Sequence, residues 1–213
     1  MKFKLFLVAL ISLVVFTPVY ASTVTLSGDV VVDRQFTVWI NDTDANFLNA
    51  QLITGGSSAN PDPDSAQTHF STQLTPGHDY YLTVLGAATI TNLAGFIGDF
   101  TLSGSGFKFA NGTQYLLSNA TDWTVRLEQF DFHNFGVIDE LAYDGQGYGG
   151  KWNIDYPNID NNAKWIWTNG GNDLYCQRFF TTKITATPEP ISSALFLLGG
   201  AALVGLRKRR GVR

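Results

Sequence analysis

The body of this 213-residue chain reads as an all-β antiparallel sandwich. Short runs of alternating apolar and polar residues recur through residues 22–187, and a period of two sends neighbouring side chains to opposite faces of a sheet. Clusters of turn-forming residues separate these runs. No long segment of that interval carries apolar residues at the helical period of about 3.6.

In chain order, Val24 and Leu26 begin the first run. Phe36, Val38 and Ile40 then alternate with Thr37, Trp39 and Asn41. Tyr80, Leu82 and Val84 alternate with Tyr81, Thr83 and Leu85, and Trp123, Val125 and Leu127 with Thr124 and Arg126. Trp165 and Trp167 flank Ile166, which places both indoles on one strand face. Phe179, Thr181 and Lys183 alternate with Phe180, Thr182 and Ile184. β-Branched and aromatic residues dominate, as strands prefer. Reversals are expected at Asn41-Asp42, Gly55–Ser58, Asn60–Pro63, Pro76-Gly77, Asn111-Gly112, Gly149-Gly150 and Asn169–Gly171. Asn111-Gly112, between Phe109 and Tyr115, has the chemistry of a tight hairpin turn. No repeat supports a propeller or solenoid.

Composition narrows the function classes. Charged residues are 15% of the chain, below the usual quarter, while aromatics reach 14% and argue against disorder. All but one of the 18 acidic residues fall within 22–187, against seven of the 14 basic ones, a net charge of −10. Such a body repels phosphate backbones, so nucleic acid is not an expected partner.

The two ends read as addresses. Residues 1–21 have a basic start at Lys2 and Lys4, an apolar stretch from Leu5 to Phe16, and small residues around Val19-Tyr20-Ala21. That is the pattern of a helical export signal cut by signal peptidase, with Ser22 as the first mature residue. At the other end, Pro188, Glu189 and Pro190 precede the uncharged segment 191–206. As a helix this segment would be about 24 Å long, close to a bilayer core of about 30 Å when flanking side chains snorkel. Arg207, Lys208, Arg209 and Arg210 follow at once and should remain on the cytoplasmic side of the inner membrane.

This C-terminal order, residues 188–213, resembles the PEP-CTERM sorting signal of Gram-negative bacteria. The resemblance implies an exosortase as processing partner, cleavage near Pro188-Glu189-Pro190, and a place for the body at the cell surface or in an extracellular, biofilm-type matrix. Ile191 departs from the small or hydroxyl residue usual after the motif, with Ser192 and Ser193 following. The body, through "DRQFTVWIND", "LTPGHDYYLTV", "AGFIGDFTLS", "ATDWTVRL" and "NAKWIW", resembles the galactose-binding-like β-sandwich. That likeness implies a jelly roll of two packed sheets whose loops at one end contact sugars.

Few residues carry the signature of chemistry. Cys176 is the only cysteine, so no disulfide forms within the chain and stability rests on the core. His69, His78 and His133 are isolated and make no closely spaced ligand motif. Loop acids at Asp42/Asp44, Asp62/Asp64, Asp139/Glu140/Asp144 and Asp155/Asp160 fit solvated turns, with structural calcium as the alternative. No nucleophile elbow or phosphate-binding loop is present, so no catalytic residue is assigned.

The stretch 143–167 mixes Tyr, Trp, Asn and Asp, the residue types that stack on sugar rings and bond their hydroxyls. Within it Tyr148, Trp152 and Tyr156 are the expected stacking residues, and Asn153 and Asp155 the hydroxyl partners. The resulting expectation is an exported, non-catalytic surface protein that holds exopolysaccharide. Its rivals are a secreted glycan-active hydrolase, which needs two facing carboxylates, and a purely structural self-associating matrix protein.

Overall fold

The computed structural model describes residues 23–32, 35–42, 50–57, 67–87, 95–127, 135–140, 156–168 and 177–187. The proposed signal segment 1–21 and sorting tail 188–213, with Pro188, Glu189, Pro190 and Arg207–Arg210, lie outside the described residues, as does Cys176. All regular structure among the described residues is β, arranged as two antiparallel sheets packed into a sandwich.

The first sheet contains β1 (Val24–Val32), β4 (Thr68–Leu74), β6 (Phe96–Ser103), β8 (Tyr115–Leu117), β11 (Ile138–Glu140) and β12 (Ile166–Thr168). Their order is β11-β12-β6-β1-β4, and β8 also pairs with β6. The second sheet contains β2 (Gln35–Asn41), β3 (Gln51–Ser57), β5 (Tyr80–Ala87), β7 (Phe107–Phe109), β9 (Thr124–Arg126), β10 (Phe135–Gly136) and β13 (Gln177–Ala186). Its order is β10-β9-β13-β5-β2-β3, with β7 also on β13. Thr23–Thr187 forms one compact unit.

Alternation explains how each strand divides its side chains. In β1, Val24, Leu26, Val30 and Val32 enter the core between the sheets, while Val31 joins a second cluster. In β6, Phe96, Phe100 and Leu102 go inward and Ile97 goes to that second cluster. Leu116 and Leu117 of β8 divide in the same way. The second sheet supplies Phe36, Val38, Ile40, Leu82, Val84, Val125, Phe180 and Ile184 to the main core. Aromatic rings fill its centre: Phe96 lies 5.2 Å from Trp123 at a steep angle and 5.4 Å from Phe180. Gly28 sits inward on β1, where a Cβ would lie 2.6 Å from the Phe100 ring and 2.9 Å from Phe70. The missing side chain makes room for those two rings.

The second cluster covers one end of the first sheet's outer face. Tyr156, Ile159, Ala163 and Trp165 pack over Val31 and Ile97, with Leu117 beside them. Trp165 and Trp167 therefore do not share a face. Trp165 belongs to this outer cluster, while Trp167 joins the main core 5.4 Å from Phe180. Trp165 stands just before β12, so strand alternation does not govern it.

The reversal at Asn111-Gly112 is present: Gly112 has φ 78°, and the Gly112 N–H donates to the Phe109 carbonyl at 2.9 Å. It does not close a hairpin in one sheet. β7 lies in the second sheet and β8 in the first, so this turn carries the chain from one layer to the other.

Candidate functional site

Strand register assembles a polar surface on the outer side of the first sheet. Position by position, β1 pairs Asp29 with His69 of β4 on one side and Asp99 of β6 on the other, and Asp99 pairs with Leu117 of β8. The next outward row is Ser71, Ser27, Thr101 and Tyr115, and the one after it Gln73, Thr25 and Ser103. Four strands thus carry hydroxyls, an amide and carboxylates on one face, at about 4.8 Å per strand. Ser71, Gln73, Thr101, Ser103 and Tyr115 are exposed.

Hydrogen bonds gather the acidic end of this face around Tyr115. Its phenol donates to Asp99 Oδ2 at 2.7 Å and lies 3.2 Å from Asp160 Oδ2. The Asp160 N–H also reaches Asp99 Oδ2, at 3.3 Å. Asp160 Oδ1 accepts from both the backbone and the side-chain N–H of Asn162, at 2.7 and 2.8 Å. One strand away from Asp99, Asp29 Oδ2 lies 3.0 Å from His69 Nδ1, and Asp29 Oδ1 accepts from Gln67 Nε2 at 3.1 Å. Ser118 ties the covering segment to the sheet: its hydroxyl donates to the Lys164 carbonyl at 2.6 Å and accepts from the Gly98 N–H at 3.0 Å.

Asp99 and Asp160 are shifted in opposite directions. Burial pushes Asp99 above the ordinary carboxylate value, with the like charges of Asp160 and Asp29 adding to it; the Tyr115 phenol and Asp160 N–H pull the other way. Asp160 is held below that value, first by the Asn162 backbone N–H and then by the Asn162 side chain. Burial and the adjacent Asp99 carboxylate push the Tyr115 phenol far up, so it stays protonated as a donor.

These directions set a pH dependence. A raised Asp99 means the folded chain binds that proton more tightly than the unfolded chain, so its contribution is full at low pH. It is lost as pH rises from the ordinary carboxylate range through Asp99's own higher value. Asp160 acts in the opposite sense at lower pH, where its contribution fades as pH falls through its depressed value. Thermal melts across this range should show wild type losing stability relative to Asp99→Asn as pH rises just above the ordinary carboxylate range. Parallel pH profiles for the two proteins would refute the assignment.

The residues singled out in the sequence divide unevenly. Tyr148, Trp152, Asn153 and Asp155 lie outside the described residues. Tyr156 is described, and it is a core residue instead of a stacking face. It is 6% exposed, with its ring packed at a steep angle against Trp165, 6.1 Å between centroids. Hydrophobic cover for Val31 and Ile97 claims that ring. Asp160 and Asn162, from the same stretch, do reach the polar face. Among the described residues no three His, Cys, Asp or Glu side chains are grouped to hold a metal ion.

Sequence reasoning missed Tyr115, Asp99 and Asp29 and treated His69 as isolated. The available signal was the alternation Thr25, Ser27, Asp29 against Val24, Leu26 and Val30, which marks a strand with a wet outer face. No protein-family model, curated protein or solved structure matches the chain.

Proposed function

We propose that the chain is an exported, exosortase-sorted component of the cell surface or extracellular matrix, and that its sandwich is non-catalytic and holds exopolysaccharide. The observation that carries this reading is the order of parts in the tail: Pro188-Glu189-Pro190, an uncharged segment 191–206, then Arg207-Lys208-Arg209-Arg210. An export signal at residues 1–21 agrees with it, because both ends then place the body beyond the inner membrane. The two-sheet sandwich is compatible with a galactose-binding-like jelly roll. In this reading signal peptidase and exosortase are the processing partners, the exposed polar face of the first sheet is a surface available to a sugar chain, and Tyr148, Trp152, Asn153 and Asp155 are the further contacts expected from the sequence.

Expression with and without an exosortase tests the sorting. With the enzyme, the body should leave the inner membrane without its basic tail; without it, the full tail should stay in the membrane fraction. Equal retention of residues 188–213 in both hosts would reduce the tail to a plain anchor.

A further inference from the structure

We infer that the outer face of the first sheet binds a glycan bearing ammonium groups, a partly or fully deacetylated amino-sugar polymer, through Asp99 with Asp29 and Asp160 at its acidic end. This deepens the polysaccharide reading and rests on it.

Charge complementarity selects this occupant. Asp29 and Asp99 stand side by side across β1 and β6, and Asp160 approaches Asp99 from the covering segment. Among the outward residues of β1, β4, β6 and β8 there is no Lys or Arg. On those four strands the only group able to carry positive charge is His69, which already faces Asp29 at 3.0 Å; the exposed Lys164 belongs to the covering segment. Asp99 is half-buried beside two like charges, and what it has is neutral donors at Oδ2, from Tyr115 and the Asp160 backbone. An ammonium group brought to Asp99 would relieve that repulsion and form a charge-assisted hydrogen bond. An anionic polymer would meet the same carboxylates as repulsion.

The rest of the face argues for a sugar chain over a lone cation. The rows Ser71, Ser27, Thr101, Tyr115 and Gln73, Thr25, Ser103 continue from the acids for several strand widths. They offer hydroxyl and amide groups that can both donate and accept, as sugar hydroxyls require. Tyr115, 40% exposed, adds an aromatic side chain to this face beside the acids.

The test measures binding of the full-length chain in detergent to glucosamine oligosaccharides, their N-acetylated counterparts and oligogalacturonate, at mildly acidic pH. Wild type should prefer the glucosamine series, with affinity falling as salt rises. Asp99→Asn should weaken that binding roughly tenfold or more, the loss of one charge-assisted bond. Ser71→Arg, which places a positive charge at an exposed position of the same face, should weaken it as well. Asp79→Asn serves as control, because Asp79 pairs with Lys183 of the other sheet at 2.7 Å and should leave binding unchanged.

Equal binding of acetylated and deacetylated oligosaccharides, a preference for oligogalacturonate, or wild-type affinity in both Asp99→Asn and Ser71→Arg would overturn the inference and leave the polysaccharide reading standing. Absence of binding to any of the three series by wild type would remove both.

Discussion

Phe96→Ala should destabilise the folded body by about 3–5 kcal/mol. Phe96 is fully buried and stands where three ring contacts converge, with Phe100 at 6.2 Å in addition to Trp123 and Phe180. Those partners come from both sheets and from the segment before β9, so the cavity would open at the junction of the layers. The backbone also leaves little freedom to collapse around it, since Phe96 pairs with Val32 on one side and Ile166 on the other. Domains of this size are stable by about 5–15 kcal/mol, so the loss is a large share of the total. Denaturant unfolding measures it: the midpoint should fall with little change in slope. A loss below about 1 kcal/mol would mean that Phe96 is not a keystone of this core.

Trp165→Ala should cost about as much, about 3–5 kcal/mol, but with a different spatial signature. Trp165 is 3% exposed and is the largest side chain of the second cluster. Removing it uncovers Val31 and Ile97 and takes away the ring packed at a steep angle against Tyr156. Besides its local turns, Ile159 N–H to the Tyr156 carbonyl and Ala163 N–H to the Asp160 carbonyl, the segment is tied to the sheet by polar bonds at Asp160 and Lys164, too few to hold it there without the buried indole. Hydrogen exchange should therefore rise first at Ile159, Ala163 and Lys164, while amides of β5 and β13 keep their protection. Uniform loss of protection over both sheets would show that the cluster is continuous with the main core in its energetics. Because Asp160 lies in this segment, the acidic end of the outer face should loosen with it.

The local pattern of residues determined a good deal. Phe36–Asn41, Tyr80–Leu85 and Phe179–Ile184 became β2, β5 and β13 because alternation over six residues already specifies two faces. Asn111-Gly112 became a turn because Gly112 tolerates positive φ. Pro76-Gly77 likewise marks a reversal just ahead of β5. These are short-range facts of sterics and burial, and they need no knowledge of the partner strand.

What the tertiary structure alone decided is which strands meet, and in what register. β1 lies between β4 and β6, strands some forty and seventy residues further along, and only that pairing sets Asp29 beside both His69 and Asp99. Tyr115 meets Asp160 across 45 residues of chain, and Ser118 meets Lys164 across 46. The fate of the aromatic stretch was settled in the same way. Tyr156 and Trp165 were taken up as cover for Val31 and Ile97, because two apolar side chains on the outer face of a sheet gain more from burial than the rings gain from exposure. Periodicity says which way a side chain points from its own strand; what waits there is fixed by non-local pairing and by competition for buried surface.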